Sequence, residues 1–389
     1  MVAGLFIGLL LAAPPPHWEL TARAEGREGT SPVTGSQAAG VGQFDATAAI
    51  IGPVGDATGT LQYAPRLLLG DDSQGSTQLL HRGHALLDWR SGGQRIELDQ
   101  VASIGQMDFS PLTGNQPGAT PTTPLPTTDP QLAQIRSIPF ISSTSTLRYA
   151  GALDRRWQLT GSVGYAVSGG RTLAARAVVP LQQGPLGSLG IRWTATAVDD
   201  LGLNLAASEV SSSSGSTSVL STTAATWKTR LDPRTSFTLG TGVAFAHAEG
   251  GDVKRPNTLF GPVASAGIAT TIPMRGTHLV GSAVLTLGPV IDAITGDAYE
   301  RVEGRAQVGF SPITTLLLSA SASGARNLAA PFFSQGVLQS EVSAIYNLHP
   351  RLALSGGARS SYLTGPNLGQ PAFQWAGFLY AIFNTSGAF

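Results

Sequence analysis

The segment from Trp227 to Phe245, WKTRLDPRTSFTLGTGVAF, constrains the fold of this chain more than any other stretch. After a tight turn at Leu231–Arg234, bulky apolar residues alternate with small or weakly polar ones at a period of two. Successive side chains of a β-strand point to opposite faces, so the pattern predicts two strands joined by a short turn. One face of this pair is bulky and apolar, and the other is small and uncharged.

The same unit recurs along the chain. Pro350 and Arg351 occupy the turn of one copy, Pro312 that of a second, and Asp154 begins the turn of a variant without proline. Proline suits such turns because it fixes φ and no ladder donor is needed there. A series of such hairpins buries its apolar face either against a second sheet in water or against lipid as a closed barrel.

Composition favours the barrel. Charged residues make up 12% of the chain, whereas a soluble domain carries roughly 25%. Mean hydropathy is only +0.11, and beyond the first residues no apolar run is long enough to span a membrane as a helix. We therefore predict an all-β chain that forms a single transmembrane antiparallel β-barrel of about 16–18 strands. A large soluble β-sandwich or β-helix is the alternative.

The N-terminal region is typical of an exported protein. Val2–Ala13 is a short apolar run, and Thr21–Ala24 offers a small-x-small cleavage site. We interpret residues 1–24 as a signal peptide, 25–40 as a disordered lead-in and 41–389 as the barrel, with a buried N-terminal helix as the alternative. An exported β-rich chain without cysteine is predicted to lie in the bacterial outer membrane.

Two stretches are predicted to be long outer loops: the proline-rich Pro111–Pro130, and Ser168–Gly187, in which Thr172–Val179 is alternatively a short strand. Counting back from a last strand at Ala372–Phe383 gives sixteen strands, the first of which begins at Thr58. Gln43–Ile51 is then a surplus strand, since an even number is expected. Either it lies in the lumen, or a hairpin hidden in a loop brings the number to eighteen.

Ala298–Phe310 has the clearest two-faced pattern in the chain. One face carries a ladder of charged and polar residues, among them Arg301 and Arg305, and such side chains face water because a mid-plane Arg in lipid costs roughly 2–4 kcal/mol. By the same argument we predict eight lumen-lining residues: Arg82, Arg90, Arg148, Arg301, Glu303, Arg305, Glu341 and Arg359. The alternative is that these charges only hydrate the lumen and have no specific role.

No motif in the chain indicates catalysis. Patterns of the G-x-S-x-G, P-loop and H-E-x-x-H types are absent, as is cysteine. His81 and His84 fall on opposite faces of a strand, and Asp71-Asp72 and Asp199-Asp200 are predicted to be solvated turns rather than ligands. We expect no enzymatic activity, cofactor or metal, and zero net charge gives no reason to expect a nucleic-acid partner.

Three features carry a family resemblance: the recurring L-x-P-R turn and strand, the segments YAPRLLL at Tyr63–Leu69 and LLHRGH at Leu79–His84, and the terminal Phe389. In these the chain resembles the outer-membrane β-barrel porins that accompany exopolysaccharide secretion, especially in myxobacteria. The resemblance implies an export pore that works with a periplasmic polysaccharide-export protein and carries a polysaccharide cargo. A general diffusion porin for small solutes is the alternative function.

Overall fold

The chain folds into one antiparallel sheet that closes on itself. The computed structural model describes residues 17–30, 38–70, 77–107, 138–251, 257–274, 277–292, 294, 296–328, 336–365 and 372–388. Within these residues the strands are β1 His17–Thr30, β2 Ala38–Val54, β3 Ala57–Tyr63, β4 Arg66–Gly70, β5 Thr77–Ser91, β6 Gln94–Met107, β7 Ile138–Ala152, β8 Trp157–Gly170, β9 Gln182–Thr194, β10 Asp199–Ser212, β11 Ser216–Asp232, β12 Thr235–Gly250, β13 Asn257–Met274, β14 Thr277–Ile291, β15 Ala298–Ile313, β16 Leu316–Asn327, β17 Gly336–His349, β18 Leu352–Thr364 and β19 Ala372–Ala388.

Each strand pairs with its neighbours in the sequence, and β1 pairs with both β2 and β19, which closes the barrel. β3 and β4 share the same two partners, β2 and β5, and so occupy one position in the wall. They are separated at Pro65, which has no N–H to donate to the ladder. The described chain has nineteen strand segments. Because β3 and β4 share one position, the wall has eighteen strand positions. The predicted transmembrane β-barrel is confirmed.

The N-terminal boundaries differ from the prediction. Residues 17–30, which were assigned to the signal peptide and the lead-in, form β1 along the full length of its two neighbours. The alternation in β1 is hard to see because, after Trp18 and Leu20, its next outward positions are the small residues Ala22, Ala24 and Gly26. β1 is the additional strand that brings the number to eighteen. The surplus segment Gln43–Ile51 lies inside β2, in the wall rather than in the lumen. Residues 1–16 and 31–37 lie outside the described residues.

Short side-chain caps explain the recurring turn motifs. In the turn after β11, the Asp232 carboxylate accepts hydrogen bonds from the backbone N–H groups of Arg234, at 2.7 Å, and Thr235, at 2.9 Å. Asp154 does the same in the turn after β7. Such Asx turns fix a tight reversal without any tertiary contact. The turn between β5 and β6 instead uses Gly92 and Gly93, both at positive φ, as a two-residue hairpin requires.

Other connections depart from the sequence-based prediction. Within the predicted loop Ser168–Gly187, β8 continues to Gly170, β9 begins at Gln182, and the short helix α1, Leu173–Arg176, replaces the possible strand at Thr172–Val179. The last strand does not end at Phe383 but continues to Ala388, because β1 pairs with its final residues. The predicted outer loop Pro111–Pro130 and Asp71-Asp72 lie outside the described residues.

The outer face of the barrel forms an apolar belt bordered by aromatic rings. Leu239, Val243 and Leu354 are all exposed on it. In β8 the exposed rings of Trp157 and Tyr165 lie eight residues apart, or roughly 27 Å along the strand, which at a tilt of about 35–45° is about 19–22 Å of the roughly 25 Å height of a membrane-embedded belt. No helix in the described part of the chain is long and apolar enough to cross a membrane.

Candidate functional site in the barrel interior

One connection between strands identifies the inside of the barrel. Between β14 and β15, Ile294 packs against an apolar cluster that includes Leu80 of β5 and Phe140 of β7. These strands lie on opposite sides of the eighteen-strand ring, so the contact runs through the interior. The face of the sheet that bears Leu80 and Phe140 is therefore the interior face. We call residues 292–297, described at 292, 294, 296 and 297, the crossing connection.

The crossing connection makes polar contacts with the wall as well. Gln182 Nε2 donates to the carbonyl oxygen of Asp292 at 3.2 Å, and Ser218 Oγ donates to that of Gly296 at 2.8 Å. The apolar cluster below Ile294 consists of buried residues from β5, β6, β7 and the α1 region: Leu80, Met107, Ile138, Phe140, Ala175 and Val179. The crossing connection thus joins β14 and β15 to the far wall and narrows the interior at that level.

Arg301 anchors the base of the crossing connection. Its Nη2 donates to Tyr299 OH at 2.6 Å, and Tyr299 OH in turn donates to the Asp292 carboxylate at 3.2 Å. Nε of Arg301 donates to Asn327 Oδ1 at 3.0 Å, and a longer ion pair of 3.4 Å reaches Glu303. Asp292 and Asn327 are completely buried. Buried polar groups of this kind are stable only when their hydrogen bonds are satisfied, so this network holds the crossing connection in one position.

A second network links three adjacent strands. Arg148 of β7 contacts both Glu97 and Asp99 of β6, the latter at 2.9 Å. Asp99 also accepts a 3.0 Å contact from His84 Nε2 of β5. Nearer the turn between β5 and β6 the series continues, because Arg95 pairs with Glu97 at 2.6 Å and Asp88 pairs with both Arg90 and Arg95. Opposite charges therefore alternate along this part of the wall.

A third network spans the closure of the barrel. Arg359 of β18 pairs with Glu25 of β1 and Glu341 of β17, each at 2.7 Å. Its guanidinium also lies 4.0 Å above the ring of Phe378 in β19. The Glu25 side chain has no exposed surface, and that of Arg359 is 5% exposed. A buried ion pair thus joins β1 to β18 across β19, in addition to the backbone hydrogen bonds between β1 and β19.

All eight residues predicted from the sequence lie on the interior face. The structure brings Arg301 together with Glu303, Glu341 with Arg359, and Arg90 and Arg148 into the β5–β7 network. Arg82 lies 4.0 Å from Asp45, while Arg305 is exposed and has no ion pair among the described residues. That any of them contacts a transported molecule stays a prediction.

Sequence reasoning predicted Glu303 and Glu341 but missed the other acidic partners. Asp45 is buried and forms a 2.8 Å ion pair with Arg66, and neither residue was predicted. Alternation does place both on the polar phase of their strands, but each stands alone among apolar neighbours. Glu25 was missed because residues 25–40 were interpreted as a disordered lead-in rather than as part of a strand. His81 and His84 do lie on opposite faces, and the described residues contain no group of His, Cys, Asp or Glu that could hold a metal ion.

The EpsX exopolysaccharide export family matches residues 21–387. The chain belongs to this family. The match begins inside β1 and so includes most of the strand that closes the barrel. Among curated proteins, the comparison found no match.

Among solved structures, OccK2 (OpdF) of Pseudomonas aeruginosa is similar to this EpsX-family chain, with a TM-score of 0.51 and 12% identity over 96% of this chain and 98% of that one. OccAB4 of Acinetobacter baumannii has a TM-score of 0.49 and 11% identity over 97% and 99% of the two chains. The outer membrane protein OprD from Pseudomonas aeruginosa has a TM-score of 0.48 and 10% identity over 97% and 96%. At 12% identity the likeness to OccK2 shows the fold alone.

A closed eighteen-strand barrel with an apolar belt, in a family named for exopolysaccharide export, is an outer-membrane β-barrel pore. Its polar interior and lipid-facing exterior follow from the same two-residue alternation. The family is one of export proteins.

Proposed function

We propose that this EpsX-family barrel is the outer-membrane conduit for export of an exopolysaccharide. Membership of the family over residues 21–387 carries the proposal. The interior also suits a polymer, because most charges along the described wall are paired with opposite ones and give no deep trap, and conduction requires sites that are easily left. The proposed activity is transport without catalysis.

The crossing connection favours a conduit with a controlled opening over a general diffusion porin. A diffusion porin needs a path that stays open to small solutes, whereas here Ile294 reaches the opposite wall and Asp292 is held by a buried network. An export conduit must pass a long polymer without leaking small solutes. A narrowed interior fits that requirement.

The proposed periplasmic partner rests on the family and on the resemblance to export porins that work with such a protein. On the side opposite the crossing connection, short hairpin turns such as those after β7, β11 and β17 form the rim of the barrel. We propose that a periplasmic polysaccharide-export protein docks against this rim and delivers the polymer.

An in-frame deletion tests the function. Loss of surface polymer, restored by the wild-type gene supplied in trans, is the expected outcome, with unchanged uptake of small antibiotics. Normal surface polymer combined with slower uptake of small solutes would instead support the diffusion porin. Outer-membrane amounts of other barrels serve as the control for a general assembly defect.

A further inference from the structure

The interior wall has two sectors of different chemistry. The three charged networks involve β1 and β5–β7 on one side and β15, β17 and β18 on the other. Between them, the interior faces of β8–β14 carry no charged side chain except close to the hairpin turns, as at Arg192, Asp200 and Lys228. We call the interior face of β8–β14 the uncharged sector.

The uncharged sector combines hydroxyl, amide and glycine positions with apolar ones such as Ala244, Val280 and Val284. Thr160, Ser188 and Asn204 lie there on adjacent strands and are exposed to the interior. The series continues through Thr222, Thr238 and Ser265. Hydroxyl and amide groups both donate and accept hydrogen bonds, and a neutral hydrogen bond in water has a net worth of only about 0.5–1.5 kcal/mol.

The charged sector is only partly available to a passing molecule: Arg305, Arg148 and Glu303 are open to the interior, whereas its other main charges are closed off. Glu25, Asp45, Asp99 and Arg359 are each no more than 5% exposed, and each is already paired within the wall. Their charges stabilise the barrel, and a polymer in the interior does not reach them. A polyanion moving through the pore would need accessible cations to replace its water and counterions, and the uncharged sector provides none along the middle of its strands.

We propose that the polymer moves along the uncharged sector and that it is a neutral, hydroxyl-rich glycan. This inference rests on the proposed export function and names its path and its class of cargo. Sugar hydroxyls exchange hydrogen bonds with Ser, Thr and Asn side chains at nearly equal cost at each step, so the chain slides without being trapped. Glycines between these side chains keep the wall smooth.

Asn204 and Gln307 make a matched pair for testing the path. Each lies near the middle of its strand on the interior face and is exposed, Asn204 in the uncharged sector on β10 and Gln307 beside Arg305 on β15. The chain has no cysteine, so Asn204→Cys and Gln307→Cys each create a single reactive thiol. Each variant is treated in cells, within a deletion background, with an anionic sulfonatoethyl or a neutral hydroxyethyl thiosulfonate of similar size.

We expect the anionic adduct at position 204 to lower the release of surface polymer several-fold, because a charged group holds sugar hydroxyls more tightly than a neutral one. The neutral adduct at 204 and both adducts at 307 should leave release within about twofold of the untreated variant. Equal loss of polymer release after treatment at positions 204 and 307 would contradict the proposed path along the uncharged sector. Equal effects of the two reagents at 204, or abundant uronic acid or other charged sugars in the polymer lost on deletion, would overturn the neutral cargo.

These outcomes are separable from failure of the export function itself. Each untreated variant must first restore surface polymer to the deletion strain, and heat-modifiable migration on a gel shows that its barrel is assembled. If the deletion has no polymer phenotype, the export function fails and this inference fails with it. If the deletion does abolish surface polymer, the adducts alone decide the path and the cargo.

Discussion

Replacing Arg359 tests whether β1 is an integral strand of the barrel. Arg359→Met keeps most of the side-chain volume but leaves Glu25, which has no exposed surface, without its 2.7 Å partner. Removing one member of a buried pair costs about 3–5 kcal/mol, because the other charge stays buried and uncompensated. Glu341 is 34% exposed and contributes less, since solvent screens it. Lost contact with Phe378 adds about 0.5–2 kcal/mol.

A double-mutant cycle isolates the pair. We expect Arg359→Met to lower the unfolding free energy of the refolded barrel by about 3.5–7 kcal/mol, the two contributions together, measured by guanidinium titration in lipid vesicles. Adding Glu25→Leu should recover part of that loss, with a coupling energy of at least about 1 kcal/mol. Arg95→Ala is the control, since this half-exposed residue should cost only about 0–1 kcal/mol. Strictly additive effects of the two substitutions would show that β1 does not close the barrel.

Three further predictions concern the wall, the crossing connection and the charge ladder. Leu239→Arg, on the lipid-facing surface, should destabilise the assembled barrel by up to about 2–4 kcal/mol, whereas Thr238→Arg, on the interior face, should be tolerated. Heat-modifiable migration on a gel measures the assembly of both variants. Equal tolerance would mean that the two faces are interchanged. Ile294→Asn should raise single-channel conductance in planar bilayers without loss of assembly, and unchanged conductance would show that the crossing connection does not narrow the path. Neutralising Arg301 and Arg305 together should shift reversal potentials towards cation selectivity. Arg305→Gln alone should give most of the shift, because Arg305 is the exposed member of the two. An unchanged reversal potential would show that β15 does not line the conducting path.

Local alternation made most of the fold predictable from the sequence. The Trp227–Phe245 hairpin and the ladder on Ala298–Phe310 appear in the structure with the expected faces, because strand geometry and lipid exclusion act on each strand separately. The strand β1 was hidden, since after Trp18 and Leu20 its next outward positions, Ala22, Ala24 and Gly26, are small. Its role depends on pairing with β19 at the other end of the chain, which no local pattern reveals.

The interior was less predictable than the wall. Alternation placed Arg301 on the correct face, yet its function as an anchor for Asp292 depends on the path of a connection that folds across the barrel. Likewise, the contact of Ile294 with Phe140 joins opposite walls that lie far apart in the sequence. Such contacts depend on the closed three-dimensional structure, and local periodicity carries no information about them.

Photo-crosslinking at two adjacent residues of β10 tests most directly whether polymer passes through the barrel. Asn204 faces the interior, and its neighbour Leu205 is 43% exposed on the lipid-facing surface. A diazirine amino acid at position 204, irradiated in polymer-producing cells, should yield a glycan adduct that is absent at position 205 and absent in cells lacking the polymerase. Equal adducts at both positions, or none at 204 while surface polymer is being produced, would contradict passage of the polymer through the interior.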